Sequence, residues 1–475
     1  MRWTDAKREA SVDPEEQAPL GPAAFAALRA EEEPWLPECF IMPSEFDRMA
    51  DPRRSVVIFG DPGSGKTAVH RMLETISLGT DGKPLRLLVH WKPALPISVA
   101  EAGLDWVKAM LGHILDACAD ALIHHLACYP RDYQGAPTWA QARFVWFIHR
   151  HTWGNPALRW GPLAEGNDPG APLVRQILSG PVDDILYADA PPEYVISELV
   201  SALKALEMDG IWVLTDGLEG WAEMAFDRLC AGLKAFLSTL SLFDPFGLIY
   251  KICLPSELEP ALSHAGGLAR ARRRVEGIHI RWDPPTLRRL VESRLSLAFG
   301  REPFPLEELC TAAGLPEWLE KVGGTSPREW LDQVAGLVEY YTTHSRNRPI
   351  DEDTWKRLRL QRPPRLYLDD ERRRVIVGGR CVNLEDLPAK AYEMLRYLYQ
   401  RSGAVVTKAE LYFRIYRGLD RIPRPGDREY EAPKEYVGVI DTNLWRLRQA
   451  IEPDPSAPVL LVTRRGHGVV LQARW

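Results

Sequence analysis

Residues 55–73, SVVIFGDPGSGKTAVHRML, constrain the fold of this chain more than any other stretch. An apolar run from Val56 to Phe59 leads into Gly60-Asp61-Pro62-Gly63-Ser64-Gly65-Lys66-Thr67, which fits GxxxxGK[ST] at every fixed position and opens an amphipathic helix. A strand that ends in such a loop and turns at once into a helix predicts an α/β domain built on a parallel sheet flanked by helices. Each residue type has its own reason. Gly60, Gly63 and Gly65 let successive N–H groups point at one phosphate, a curl that a Cβ would obstruct. The helix beginning near Lys66 adds its positive end to the same place. Lys66 is set to reach the β- and γ-phosphates, and Thr67 to offer a hydroxyl to Mg²⁺. The bland alternative is a chance glycine-rich turn, which the two correct flanks disfavour.

A second stretch, Ile211 to Gly220 (IWVLTDGLEG), has a strand-like run ending in Asp216, with Glu219 three residues on. A carboxylate at a strand end can hold Mg²⁺ through water, and a nearby acid can orient the attacking water. Glu219 reads equally as a solvated carboxylate at a helix start. Leu85–His90 and Leu248–Leu254 are further apolar runs of strand length. At the end of the latter either Lys251 or Ser256 is available to face the phosphates. Between the strands, from Ile97 to about Ala205, the pattern turns helical: Leu104, Val107, Leu111, Ile114, Leu115 and Cys118 recur at threes and fours. The pairs His124/His125 and His149/His151 lack the i,i+4 spacing that sets two metal ligands on one helix face. Trp139, Trp146, Trp153 and Trp160 recur at sevens, which reads as helix packing rather than a stacking stripe. Downstream, Thr286–Phe299 and the stretch after Gly323-Gly324-Thr325-Ser326-Pro327-Arg328 read as lid helices, with Ser326 as cap and Pro327 at the first position.

At 475 residues the chain suits about three domains. No run approaches the roughly 20 apolar residues of a membrane span, and the first residues lack the apolar core of a secretory signal. The seven cysteines are scattered without CxxC spacing and read as reduced, so a cytoplasmic chain without membrane contact is expected. Charge is unevenly divided. Residues 361–475 hold 21 Lys and Arg against 15 Asp and Glu, a net of +6, and residues 1–360 carry −12. An acidic body with a basic tail is expected when one end meets a polyanion.

The loop at 60–67, the LTDGLEG stretch and the GTSPRE turn together resemble the additional-strand P-loop ATPases, the AAA+ and STAND superfamily, over about residues 35–345. The DGLE form is similar to that of STAND switch ATPases, with Gly220 replacing the acid that usually follows. The resemblance implies ATP and Mg²⁺ as cofactors and slow, switch-like hydrolysis. It implies nucleotide binding by Gly60 through Thr67, Mg²⁺ at Thr67 and Asp216, and catalytic roles for Lys66, Asp216, Glu219 and the lid residue Arg328. Arg270, Arg272, Arg273 and Arg274 form a basic loop or a finger onto a neighbouring subunit.

After Arg362-Pro363-Pro364, short strands, three helices and a final hairpin follow in a compact order. The segments IDTNLWRLRQAIEPDP and VTRRGHGVVL resemble the winged helix-turn-helix of OmpR/PhoB-type regulators, over about residues 365–475. That likeness implies a third helix in the DNA major groove, with Asn443, Arg446 and Arg448 outward from the apolar stripe, and a wing carrying Arg464 and Arg465. Departures from the pattern are Trp445, Asp441 and a long loop at 420–433. The expected organisation is a polar and helical extension at 1–34, an ATPase core at 35–280 with a helical insert at 97–205, a helical lid at 281–360 and the winged helix at 365–475. The expected function is a nucleotide-switched DNA-binding regulator, with double-stranded DNA, further copies of the chain or another protein as partners. The alternatives are a defence-type STAND ATPase whose winged helix contacts protein, and an AAA+ loader of the origin or transposition kind.

Overall fold

The four apolar runs become strands, β1 (Ser55–Gly60), β2 (Leu87–His90), β3 (Ile211–Thr215) and β4 (Leu248–Pro255), and a fifth strand, β5 (Val275–His279), lies where the sequence marked no apolar run. The computed structural model describes residues 20–26, 28–80, 82–180, 190–263, 267–370, 373–384 and 387–473. Most of the polar N-terminal extension lies outside them. Among the described residues the chain divides into two compact units, one of 42–281 and one of 20–41 with 282 onward.

In the first unit the five strands form one parallel sheet in the order β2-β3-β4-β1-β5. β4 is the strand inserted between the loop-bearing β1 and the carboxylate-bearing β3. Parallel sheets are covered on both faces and read as unbroken apolar runs. Every residue of β1 and β3 is accordingly buried. The register sets Gly60 beside Pro255 and Thr215 beside Ile252, so β1, β3 and β4 end along one sheet edge. Ligands of open α/β sheets bind outside such carboxyl ends.

Helices α1 (Lys66–Ile76), α2 (Leu104–Cys128), α3 (Thr138–His151), α4 (Ala171–Ser179), α5 (Pro192–Leu203) and α6 (Glu219–Ser238) cover this sheet and build the insert. Of the positions its spacing marks, α2 buries Val107, Leu111, Ile114, Leu115 and Cys118 in one apolar cluster with Val57, Val89 and Val213 of the strands, while Leu104, its first residue, is exposed. The tryptophans at sevens do not form a stripe, because α3 ends at His151. Trp146 and Trp160 are buried, and Trp139 and Trp153 are about half exposed. Burial pushes the imidazoles of His125 and His151 down to about 4, so both pack as neutral groups.

Lys251 corrects one reading. Its register beside Val56 and Leu214 sets it away from the strand ends. Its Nζ donates to the carbonyls of Met49, Asp51 and Arg54 at 2.8, 2.7 and 2.9 Å. Burial pushes the ammonium down to about 7. Three acceptors call for three N–H donors, which only the protonated amine supplies. Lys251 therefore ties a loop to the sheet, and Ser256 is the polar residue at the loop end of β4.

The second unit holds α7 (Pro284–Phe299), α8 (Leu315–Gly323), α9 (Pro327–Thr343) and α10 (Glu352–Gln361). Ser326 caps α9 and Pro327 occupies its first turn, as expected. Residues 35–41, expected at the start of the ATPase core, group with this unit together with 20–34. Arg294 on α7 is buried, with its guanidinium 2.7 Å from Glu33 and 2.9 Å from the Ala24 carbonyl. A buried arginine demands such partners.

The Arg362-Pro363-Pro364 segment is clamped rather than a free spacer. Arg362 and Arg365 both reach the buried Asp332 of α9, at 3.0 and 3.3 Å. At Gly379 a Cβ would collide with the carbonyl of Gly323, so only glycine permits that approach. There follow an antiparallel sheet of β6 (Leu366–Asp369), β7 (Arg374–Val377) and β8 (Arg380–Val382), and the helix α11 (Ala389–Gln400). Next come α12 (Lys408–Glu410, continuing as π-helix over Leu411–Tyr416), α13 (Pro433–Ile451) and a hairpin of β9 (Leu461–Arg464) and β10 (Gly468–Leu471). Val406 bridges to Val469 and seats the hairpin beside α12. This is a winged helix-turn-helix arrangement. No helix among the described residues is long and apolar enough to cross a membrane.

Candidate nucleotide site and nucleic-acid interface

The loop between β1 and α1 has the backbone its glycines predict. Gly63 and Gly65 take φ of 81° and 92°, where an L side chain is strained. A Cβ on Gly60 would strike Ser64 Oγ. Asp61 and Pro62 are exposed, and Thr67, one residue into α1, is half-buried. Lys66 is 5% exposed, with Nζ 2.8 Å from the Gly60 carbonyl and 3.1 Å from that of Asp61.

Across the sheet edge, Glu219 at the start of α6 lies 3.0 Å from Lys66 Nζ. The loop lysine and the acid after DGL are thus one ion pair, a contact that the separate reading of the two motifs did not contain. Asp216 follows β3, and its Oδ1 is buried with no hydrogen-bond partner; Thr215 Oγ1 beside it is likewise unpartnered. Buried carboxylate oxygens are rarely left so, and an ion is a common reason. Ser256 donates to Asp61 Oδ1 at the loop rim. Behind the loop, Cys253 is buried and its thiol contacts the Lys66 carbonyl at 3.9 Å. Burial, with the carboxylates of Asp216 and Glu219 adding to it, drives that thiol well above its ordinary range, so it packs as a neutral group.

These residues fit a nucleotide with Mg²⁺. The glycine cradle leaves room for a phosphate, Lys66 supplies a buried cation, and Asp216 presents an unpaired oxygen at the strand end. Arg328 is a half-buried residue in the first turn of α9, in the second unit. Arg270, Arg272, Arg273 and Arg274 are exposed, and Arg274 pairs with Asp244 at 2.6 Å.

On α13 the structure divides the expected row. Ile440, Leu444, Leu447 and Ile451 are buried, and Thr442, Trp445, Arg446 and Gln449 are exposed. Asn443 does not face outward. Its position three after Ile440 sets it on the apolar side, where it is 7% exposed and donates to the Val439 carbonyl at 2.9 Å. Arg448 is drawn sideways onto the hairpin, with bonds of 3.1 Å to the Leu461 carbonyl and 2.6 Å to Thr463 Oγ1. Arg446 stays on the outward face, and Arg464 and Arg465 are exposed at the hairpin tip. The acid on this helix, Asp441, is paired with Lys408 at 2.6 Å.

Two features escaped the sequence reading. Glu452 in the EPDP stretch is 2% exposed and accepts from the N–H groups of Val459, Leu460 and Leu461. Burial pushes its carboxyl upward against those three donors. It anchors the start of the hairpin. The other is a cluster of His70, Glu74 and His90 beside α1. The i,i+4 spacing of His70 and Glu74 was its visible signal.

No protein-family model matches the chain. Over 108 residues it is 37% identical to the sensory transduction protein RegX3 of Mycobacterium leprae, covering 23% of this chain and 46% of that protein. The Mycobacterium tuberculosis RegX3 is 37% identical over 105 residues, 22% of this chain and 39% of the relative. The chain thus spans less than half the length of these curated relatives. Among solved structures, the Aeropyrum pernix ORC1 protein in complex with DNA matches at 12% identity and a TM-score of 0.34, covering 94% of each chain. The ORC2 protein of the same organism, in ADPNP and ADP complexes, matches at 12% identity and a TM-score of 0.38, covering 93% of each. The assignment of fold and site rests on the geometry above.

Proposed function

We propose that this chain is a nucleotide-switched DNA-binding protein, a transcriptional regulator whose ATPase unit governs its winged helix. The observation that carries the reading is the presence in one chain of a phosphate cradle facing an acidic pair and a winged helix with an outward Arg446 beside a basic tip. The likeness to a sensory transduction protein supports it, since the matched length is about that of the basic tail.

In this reading Gly60 to Thr67 hold the phosphates of ATP through backbone N–H groups, and Lys66 neutralises their charge. Asp216 and the Thr67 hydroxyl would hold Mg²⁺, which would supply charge neutralisation when bound. Lys66 leaves Glu219 for the phosphates, and Glu219 is freed to orient and accept a proton from water. Arg328 is the residue the family likeness offers as a lid cation. Within the second unit, Asp332, Arg362 and Arg365 join α9 closely to the start of the winged helix.

A second reading has the winged helix contact protein, and Trp445 favours it: 59% exposed, it stands amid the outward face. Duplex binding measured against salt separates the two. Phosphate contacts make affinity fall steeply with salt, and Arg446→Ala should weaken binding and reduce the slope by about one if it contacts a phosphate. Absence of duplex binding at about 50 mM salt, with and without nucleotide, would overturn the DNA reading.

A further inference from the structure

We propose that His70, Glu74 and His90 form a site for a divalent transition metal of the Zn²⁺ class, separate from the Mg²⁺ position at the loop. His70 and Glu74 stand one turn apart on α1, so both side chains project from one face. His90 ends β2 and approaches from the neighbouring strand. His70 Nδ1 lies 3.2 Å from Glu74 Oε1, and His90 Nε2 lies 3.7 Å from the same oxygen. One ligand atom from each of the three falls within 4.8 Å of the others.

Zinc bonds of about 2.0–2.2 Å in a tetrahedron set ligand atoms roughly 3.4 Å apart, so the cluster needs adjustments of about an ångström. Two imidazoles and one carboxylate are a zinc donor set that leaves the fourth position to water. The burial is graded in the manner such a site requires. The His70 side chain is 10% exposed and anchors the inner side, Glu74 is 30% exposed, and His90 is 62% exposed and leaves a path for the ion. Two neutral imidazoles with one carboxylate also suit a borderline-soft dication better than Mg²⁺, which prefers oxygen ligands and keeps its water.

The position gives the ion a consequence. α1 begins at Lys66 and Thr67, one turn before His70, and β2 pairs with β3, whose Leu214 lies beside His90. A metal bridging the two fixes the helix that carries the loop against the side of the sheet that carries Asp216.

The test is titration of the full-length, tag-free, chelator-stripped protein with Co²⁺, read by its visible absorption, and with Zn²⁺ in competition. Co²⁺ should bind at one equivalent with tetrahedral or five-coordinate nitrogen and oxygen bands and no thiolate charge-transfer band, and Zn²⁺ should displace it. His90→Ala, at an exposed position, should weaken binding by more than roughly 100-fold, the upper end of the loss of a merely supporting group. Glu74→Gln should weaken it as well, and His124→Ala should leave it unchanged. An unaltered melting temperature shows that His90→Ala is folded. Failure to bind, a thiolate band, or wild-type binding by His90→Ala would each overturn the assignment.

Discussion

At the scale of single residues, the Lys66–Glu219 pair is the contact that most alters the meaning of the motifs. The cation expected on the phosphates is held 3.0 Å from the acid expected to handle water. On the proposed reading, nucleotide binding and release of Glu219 are one event. Glu219→Gln should bind ATP at least as tightly as the parent, since Lys66 loses a competitor. It should hydrolyse ATP at least about 100-fold more slowly, the usual loss on removing a general base. Equilibrium binding of a fluorescent ATP analogue and phosphate release check both halves. Asp216→Asn should retain affinity in a metal chelator but lose most of the gain that Mg²⁺ confers. A variant as responsive to Mg²⁺ as the parent would remove Asp216 from the site. The loop glycines were legible because their backbone needs are local. The ion pair was not, since it joins residues more than 150 positions apart, and no pattern in either motif encodes which carboxylate Lys66 meets.

At the scale of elements, α13 shows where pattern reading succeeds and where it slips. Its apolar stripe at threes and fours locates the buried face, and with it the outward row of Thr442, Trp445 and Arg446. Asn443 was misplaced because its role was carried over from the family likeness, though its spacing from Ile440 and Leu447 marks the inner side. The two residues should therefore behave oppositely. Arg446→Ala should cost about 1–3 kcal/mol of DNA binding with no change in melting temperature. Asn443→Ala should lower the melting temperature and affect DNA only through stability. Thermal unfolding alongside duplex titration of both variants distinguishes them. Glu452 illustrates what spacing does not reveal, since its three backbone donors lie seven to nine residues downstream and gather around it only when the hairpin folds.

At the scale of the molecule, a parallel sheet containing β1 to β4 was legible from the apolar runs and the loop that ends the first of them, whereas β5, a short VEGIH strand, and the order β2-β3-β4-β1-β5 were not. The membership of residues 20–41 in the second unit was not, because it depends on long-range partners. Arg294 and Glu33 meet across about 260 positions and are both buried. Glu33→Ala should destabilise the second unit by about 3–5 kcal/mol, the cost of leaving a buried charge unpaired, as denaturant unfolding would show. The clamp of Arg362 and Arg365 on Asp332 likewise ties α9 to the start of the winged helix. The central claim is that the loop at 60–67 governs the DNA-binding face. Fluorescence anisotropy of a labelled duplex, with and without ATP and Mg²⁺, in the parent chain and in Lys66→Ala, tests it most directly. The account predicts that nucleotide shifts duplex affinity at least about fivefold in the parent, the lower end of ordinary coupling between sites, and leaves Lys66→Ala unmoved. Duplex affinity in the parent that is indifferent to nucleotide, or no affinity at all, would contradict it.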